Sequence, residues 1–266
     1  MKGAENPFEV SPPKEIPLPN APLVRVIAQV RFPLIISIGS REFVAPFQEQ
    51  IRSQYPVLRE EEIRGTVVGP MGMGQGPVEK IWRFCDVAGD WRASLGSGFL
   101  ALETTKYGSR SDFLGRLEAV LSAFGSLAKP VVYDRLGIRY IDRIDGKAVD
   151  DISKLIRSEV SGISGSSAAK NARHTLSEAL FAAPAEAADF LARWGHLPPN
   201  AMVDPAAIEP IAERSWLLDL DMFRAGQQPF KVDALVLDAK RFAERIYTFF
   251  RWAVTADFLR RYGGTV

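Results

Sequence analysis

The sequence predicts an α+β protein built from two related halves, each carrying an antiparallel sheet that is backed by helices. Three observations support this prediction. A strand of alternating apolar and polar residues opens each half, a dense run of short strands follows the first one, and a long amphipathic helix closes each half. The shared order of strand, helix, antiparallel meander and long helix indicates an internal duplication.

Length and composition are those of an ordinary globular protein. The chain has 266 residues, 47% hydrophobic and 24% charged, so it is long enough to bury a large core. Lys plus Arg total 33 and Asp plus Glu total 32, so the net charge gives no long-range attraction to nucleic acid or anionic lipid. Binding of that kind requires a local patch.

Several kinds of site and location are excluded at this stage. The single cysteine, Cys85, excludes an intramolecular disulfide, and two histidines exclude a histidine-rich zinc site. His174 and His196 are each expected at the surface or in a turn. No segment approaches the roughly 18 apolar residues of a membrane span, and the N-terminus lacks a signal-peptide core. We therefore expect a cytoplasmic protein with no membrane partner, and no motif calls for a cofactor.

Proline content separates an N-terminal arm from the folded halves. Residues 1–22 contain six prolines and are predicted to be extended, because each proline removes a backbone donor and restrains its predecessor. The first α+β half is predicted to span residues 23–130 and the second residues 131–266.

The first half begins with a half-buried strand over residues 21–32, where valine and alanine alternate with polar residues. A helix is predicted over 42–56, and a helix over 109–130 begins at an N-cap serine, Ser109 or Ser111. The meander between them is predicted to contain four short strands, at residues 62–70, 78–86, 91–97 and 99–107. The glycine-rich segment 69–77 lacks the Lys-Ser/Thr of a phosphate loop and is predicted to be a flexible hairpin loop.

The second half repeats this order with a weaker middle. A long strand over 131–146 leads into a helix over 149–160 and a small, polar loop over 161–171. Three further strands are predicted, at residues 174–183, 189–199 and 214–224. The chain closes with one long helix, or two in series, over 233–263.

This element order resembles the TATA-binding-protein-like fold. In that fold two such units share one curved sheet, helices cover one face, and the other face is left open. The resemblance concerns the order of the elements and carries over no function.

Four segments resemble a sporadically distributed, uncharacterised bacterial protein family. They are FLALETTKYGSRSDFLGRLEAVL, DRLGIRYIDRI, WLLDLDMF and the terminal FFRWAVTADFLRRYG, and the opening APLVRVIAQVRF fits as well. A patchy distribution is typical of mobile-element, phage-conflict or toxin–antitoxin-like genes. The resemblance implies such a context and carries over no active site.

Arginine recurs on one face of each leading strand. Arg25, Gln29 and Arg31 share a face of the first strand, and Arg139 and Arg143 share a face of its counterpart. If helices bury the apolar side, these residues line the open side, and a pseudo-dyad brings them into one cluster. Arginine suits phosphate, carboxylate or acidic peptide, because its guanidinium presents a fixed fork of donors.

Two aspartates on the late strand supply the opposite charge. Asp219 and Asp221 share a face of it, and they can form salt bridges with the arginines, contribute to a ligand-binding cluster, or act with a metal in catalysis. Salt bridging is the favoured interpretation. A metal needs more oxygen ligands than two, and the sequence offers only Glu103 and Asp142, without a spacing rule.

Two functional hypotheses follow. The first is a non-enzymatic binding or regulatory protein that uses the arginine face to engage an anionic partner, either a protein or a nucleic acid, in phage defence or a toxin–antitoxin-like system. The alternative is a metal-dependent hydrolase or nuclease using Asp219 and Asp221. Aromatic residues cover more than one stripe of the C-terminal helix, which core packing explains first and homodimerisation second.

Overall fold

The computed structural model describes residues 5–69, 72–201 and 203–265, with side chains described except at positions 63–78. It has the α+β class that the sequence predicts, with a large antiparallel sheet and helices. The described strands are β1 (Leu23–Arg31), β2 (Val57–Gly69), β3 (Gly72–Cys85), β4 (Trp91–Gly96), β5 (Phe99–Thr104), β6 (Val132–Ile144), β7 (Ser177–Ala183), β8 (Ala188–Leu197) and β9 (Ser215–Pro229).

The helices of the described residues are α1 (Arg41–Ile51), α2 (Arg110–Ala128), α3 (Ile152–Leu155), α4 (Ser158–Ser161), α5 (Val232–Ala253) and α6 (Ala256–Arg261). Ser109 caps α2 by accepting a hydrogen bond from the amide of Asp112 at 3.2 Å, which confirms one of the two predicted N-caps. Over the part of the chain that is described, none of these helices combines the length and apolar character needed to cross a membrane.

Strands hydrogen-bond to their neighbours in the order β2-β3-β4-β5-β1-β6-β9-β8-β7. The chain divides into two compact units. Unit 1 contains Met1–Val26, Ile138–Arg224 and Lys240–Val266, and unit 2 contains Ile27–Gly137 and Ala225–Ala239. β1, β6, β9 and α5 therefore contribute residues to both units.

The β2–β3 hairpin of unit 2 is longer than predicted. The two strands pair antiparallel from Val57 opposite Cys85 to Gly69 opposite Gly72, with one register shift. The predicted loop over residues 69–77 is therefore wrong for residues 72–77, which belong to β3, while Pro70 and Met71 lie outside the described residues. Glycine permits an extended backbone as readily as a loop, so pairing with β2 decides the conformation.

The core of unit 2 lies between its strands and the helices α1 and α2. The apolar face of the amphipathic helix predicted here is buried in α2, and Phe124, near the C-terminal end of α2, stacks on Phe32 with ring centroids 4.6 Å apart. The buried residues of that face are Phe113, Leu117, Val120, Leu121 and Phe124. Phe47 of α1 packs against Phe84 of β3 at 5.3 Å. The alternation predicted for β1 is also confirmed, because Val26, Ala28 and Val30 are buried while the residues between them are partly exposed.

Unit 1 contains the antiparallel strands β7, β8 and β9, which confirms the three strands predicted in this region. Phe190 of β8 lies opposite Met222 of β9, and both side chains are completely buried. The aromatic ring of Phe190 packs against Phe249 of α5 at 4.8 Å. One face of this part of the sheet is therefore covered by α5.

The helix predicted over residues 149–160 is wrong. A 3-10 turn at Gly146–Asp151 and the short helices α3 and α4 take its place, because Ile156 and Arg157 adopt extended conformations between them. Ile156 is buried and forms an isolated antiparallel bridge with Val254, and the amide of Arg157 donates to Ala253 at 2.9 Å. Tertiary pairing here overrides the local helix preference.

Removing the Phe124 ring tests the core of unit 2. Because Phe124 is fully buried, we expect Phe124→Ala to lower the free energy of unfolding by about 3–5 kcal/mol in urea titrations. The control Val87→Ala removes a side chain that is 85% exposed and is expected to change it by less than about 0.5 kcal/mol. Equal losses in both variants would contradict this placement of the core.

Candidate functional site

A bidentate ion pair joins β6 to β9 at the centre of the predicted site. Arg139 donates from Nε to one oxygen of Asp219 and from Nη2 to the other, both at 2.7 Å. The side chain of Asp219 is 2% exposed and that of Arg139 is 16% exposed. The two parallel hydrogen bonds fix the plane of the guanidinium, since a fork of donors matches both carboxylate oxygens.

Further charged side chains of unit 1 extend this pair into a network. The Nη1 of Arg139 donates to Asp204 at 2.6 Å. On the other side of Asp219, Arg193 of β8 lies 3.5 Å from the carboxylate and donates to Glu178 of β7 at 2.6 Å. The strand register produces this row, because Arg193 lies directly opposite both Asp219 and Glu178.

The network shifts the pKa values of two of its members, Arg139 and Asp204. Burial acts to lower the pKa of Arg139, but hydrogen bonds and attraction to Asp219 and Asp204 outweigh it and raise that pKa. Burial acts to raise the pKa of Asp204, but its hydrogen bond to Arg139 and the attraction of that cation outweigh it and lower the pKa. Both groups are therefore charged at neutral pH.

The loop between β8 and β9, described over residues 198–201 and 203–214, folds back onto this face of unit 1. Besides Asp204, it supplies the carbonyl oxygen of Glu209, which accepts from Nη1 of Arg143 at 2.8 Å. Ala207 and Ile208 of the same loop are buried. The face is therefore less open at Arg139 and Arg143 than the sequence predicts.

Arg143 differs from Arg139 in the hydrogen-bond partners of its guanidinium. Its Nη1 donates to the Glu209 carbonyl, whereas its Nε is buried and has no hydrogen-bond partner among the residues that the structure describes. A buried guanidinium donor without an acceptor is unfavourable, because it has lost its hydration. Arg143 therefore has unused capacity to bind an acceptor.

The three residues predicted on β1 lie in different units. Arg25 belongs to unit 1 and is half-buried, whereas Gln29 and Arg31 belong to unit 2. Arg31 is exposed and donates from Nε to the side-chain oxygen of Gln29 at 3.1 Å. The structure thus brings Arg31 together with Gln29, and the single cluster of all five residues stays a prediction.

The aspartates of β9 have separate surroundings. Asp219 lies opposite Arg193 and Asp221 lies opposite Leu191, on the face that the sequence predicts for both. Both oxygens of Asp219 accept hydrogen bonds from Arg139, as the salt-bridge interpretation requires. Within the described residues, no group of three or more His, Cys, Asp or Glu side chains has an arrangement that could hold a metal ion.

Of the two additional carboxylates offered by the sequence, neither joins this network. Glu103 pairs with Arg92 in unit 2. Asp142 lies on β6 with a side chain that is buried at 6% exposure, and burial raises its pKa to about 7. It follows Ile141 and precedes Arg143, so strand alternation directs it away from the face that carries Arg139.

One of the two histidines is not in the surface or turn position expected from the sequence. His174 is exposed, but His196 is buried inside β8, where its amide donates to the Thr175 hydroxyl at 2.9 Å. Burial lowers the pKa of His196, so its imidazole is neutral at pH 7. The expectation of a surface or turn position is wrong for His196, because β8 extends through RWGHL.

Three members of the network were not predicted from the sequence. Arg193 and Glu178 lie on strands that were predicted, but their pairing follows from a register that a single sequence does not reveal. Asp204 lies in an irregular loop without any periodicity. The sequence does not distinguish it from Glu209 and Glu213 of the same loop.

No protein-family model, curated protein or solved structure matches the chain.

The Arg139–Asp219 pair can be tested by removing one partner. Arg139→Ala leaves the Asp219 carboxylate buried without its bidentate donor, so we expect the free energy of unfolding to fall by about 3–5 kcal/mol in urea titrations. Arg260→Ala breaks a pair whose arginine side chain is 63% exposed and is expected to cost less than about 1 kcal/mol.

A double replacement distinguishes charge from packing at the same position. Arg139→Met combined with Asp219→Leu removes both charges together, so it is expected to be more stable than Arg139→Ala alone. A double variant as unstable as the single one would show that the loss is not caused by the unpaired carboxylate.

The buried Asp142 carboxyl predicts a dependence of stability on pH. Below about pH 4 the Asp142 carboxyl is protonated in both the folded and the unfolded chain, so its ionisation does not affect the free energy of unfolding. Between about pH 4 and pH 7 it ionises only in the unfolded chain, so stability falls by on the order of 4 kcal/mol as the pH rises. Asp142→Asn is expected to remove this decrease in chemical unfolding measured across that range. Parallel curves for the two chains would contradict the burial of an ionisable group here.

Proposed function

We propose that the protein is a non-enzymatic binding or regulatory protein that engages an anionic partner through the arginines of β6. One observation carries the proposal. The β8–β9 loop places a carboxylate, from Asp204, and a carbonyl, from Glu209, on Arg139 and Arg143. These acceptors are the kind that an anionic ligand would offer, so the loop occupies the face as a ligand would.

The two arginines have different roles in this proposal. Asp219 holds the guanidinium of Arg139 in a fixed orientation and leaves Nη1 directed toward the loop. Arg143 has a buried Nε that lacks an acceptor. A phosphate or carboxylate of the partner would replace Asp204 on Arg139 and supply the missing acceptor to Arg143.

The exchange has a low energetic cost. The side chain of Asp204 is 30% exposed, so it regains hydration when it leaves Arg139. Asp219 stays in place and keeps Arg139 neutralised throughout. The two polar contacts of the loop with the arginines of β6 are therefore ones that a competing anion can replace, while the buried Ala207 and Ile208 keep the loop attached.

The guanidinium groups of Arg139 and Arg143 indicate the kind of partner that fits the site. We propose an acidic protein segment as the partner, with nucleic acid as the second class, in the cytoplasm and in a phage-defence or toxin–antitoxin-like context. The duplicated, TATA-binding-protein-like arrangement belongs to the same proposal. The strand order supports it, because β1 and β6 are neighbours with one meander on the outer side of each.

No observation described above favours the alternative, a metal-dependent hydrolase. Both oxygens of Asp219 are engaged by a guanidinium, and a divalent cation beside Arg139 and Arg193 would be repelled. Homodimerisation through the C-terminal helix remains a prediction of the sequence.

Two substitutions test the binding proposal in opposite directions. The probes are a labelled polyglutamate peptide and a labelled single-stranded DNA, each measured by fluorescence anisotropy. Arg143→Gln removes the charge that the partner would contact, so we expect binding about tenfold weaker. Asp204→Asn weakens the competing loop contact, so we expect binding a few-fold tighter. Binding to DNA is expected to fall steeply with added salt.

Arg260→Gln is the matched control, because it removes one exposed arginine of α6 that is paired with Asp257. It should leave binding of both probes unchanged. The proposal fails if the wild-type chain binds neither probe, or if all three variants bind alike.

A further inference from the structure

The N-terminal arm docks against α5 through a single aromatic side chain. The ring of Phe8 lies between Phe181 of β7, Phe190 of β8 and Phe249 of α5, with centroid distances of 5.1, 5.4 and 5.9 Å. Phe8 itself is half-buried, and the preceding residue, Pro7, is buried. This arrangement resembles a peptide anchored by an aromatic residue in a pocket of aromatic walls.

A buried cation binds the backbone on both sides of this anchor. Arg245 of α5 is 7% exposed, and its Nη1 donates to the carbonyl oxygen of Pro7 at 2.6 Å and to that of Val10 at 3.0 Å. The carboxylate of Glu186 holds Arg245 in place at 2.9 Å. The guanidinium is therefore oriented before any peptide arrives.

The contacts continue along the arm toward α6. The hydroxyl of Tyr247 accepts from the amide of Ile16 at 2.8 Å, and Arg251 donates to the carbonyl of Lys14 at 3.4 Å. Leu18 packs closely against Gly264. In these hydrogen bonds the arm contributes main-chain atoms, so they do not depend on its side chains.

The arm leaves two buried polar atoms of this surface unsatisfied. Among the described residues, which begin at position 5 of the arm, the second carboxylate oxygen of Glu186 and the Nε of Arg251 are both buried without a hydrogen-bond partner. One is an acceptor and the other is a donor, so a peptide that offered an amide to the first and a carbonyl to the second would satisfy both. The arm is therefore an incomplete ligand for the surface it covers.

We propose that this surface, defined by Phe181, Glu186, Phe190, Arg245, Tyr247, Phe249 and Arg251 and called the arm groove, is a peptide-binding site. Its ligand is a segment of a partner protein in which an aromatic residue follows a proline, as Phe8 follows Pro7 in the turn at residues 7–9 of the arm. The chain's own arm occupies the groove until such a segment displaces it. Proline suits this role because its ring fixes φ before binding, which lowers the entropic cost of docking.

The arm groove and the arginine face of β6 use different residues. The arm groove binds through main-chain hydrogen bonds and one aromatic anchor, whereas the arginine face binds through charge. Loss of peptide binding therefore leaves the anion-binding proposal intact, and loss of anion binding leaves this one intact.

The test uses the full chain and a labelled peptide with the sequence of residues 5–18. In the wild-type chain the tethered arm competes at a high effective concentration, so binding of the free peptide is expected to be weak. Phe8→Ala in the chain removes the anchor of the tethered arm, so fluorescence anisotropy should show the peptide binding at least tenfold more tightly. Phe8→Leu is a milder variant that should show the same direction of change.

Changes in the peptide itself provide matched controls without altering the fold of the chain. Replacing its Phe8 with alanine should weaken binding at least tenfold. Replacing its Lys14 with alanine should leave binding unchanged, because the contact at that position is to the carbonyl. Tyr247→Phe in the chain should weaken binding several-fold, since it removes the acceptor for the Ile16 amide.

Two outcomes would overturn the proposal. The first is failure of the peptide to bind the Phe8→Ala and Phe8→Leu chains, or equal binding of the native and alanine peptides. The second is a wild-type dimer in mass measurements that Phe8→Ala converts to a monomer. That dimer would assign the arm groove to the arm of a second copy and not to a partner segment.

Discussion

The bidentate pair between Arg139 and Asp219 is the interaction on which the candidate site of unit 1 depends. It places a cation and an anion inside a sheet, where neither is stable alone. Their two parallel hydrogen bonds therefore constrain the alignment of β6 and β9, and the alignment of β9 with β8 then brings Arg193 beside Asp219. The orientation of the remaining donor of Arg139 is a consequence of this constraint, and so is the position at which the loop carboxylate binds.

The loop contacts illustrate how burial separates permanent from exchangeable ion pairs. Asp219 is almost completely buried and cannot regain water without unfolding, whereas Asp204 is partly exposed and can. The same arginine therefore carries one structural partner and one replaceable partner. Arg143, with a buried donor that lacks an acceptor, lies on the same strand and face. In the proposed function, a site assembled in this way would discriminate ligands by whether they bring an acceptor.

Features set by local sequence could be predicted, and those set by register or distant contacts could not. The buried stripe of α2 and the alternation of β1 follow from periodicity within one element, and both were predicted. The pairing of Arg193 with Asp219 depends on strand register, and Asp204 lies in a loop where no period exists. The break at Ile156 arises because a bridge to Val254, nearly a hundred residues away, outweighs helix propensity. Proline content indicated an extended arm but not the surface that it covers.

The arm contact also has a consequence for how the chain is made. Arg245 and Pro7 are separated by 238 positions, so the arm leaves the ribosome long before α5 exists. Until synthesis is nearly complete, Phe8 and its neighbouring prolines have no surface on which to dock. Such a non-local contact forms late, since its loop-closure entropy must be overcome first. An undocked arm thus marks a chain in which α5 has not yet been made, and proteases would reach that exposed segment first.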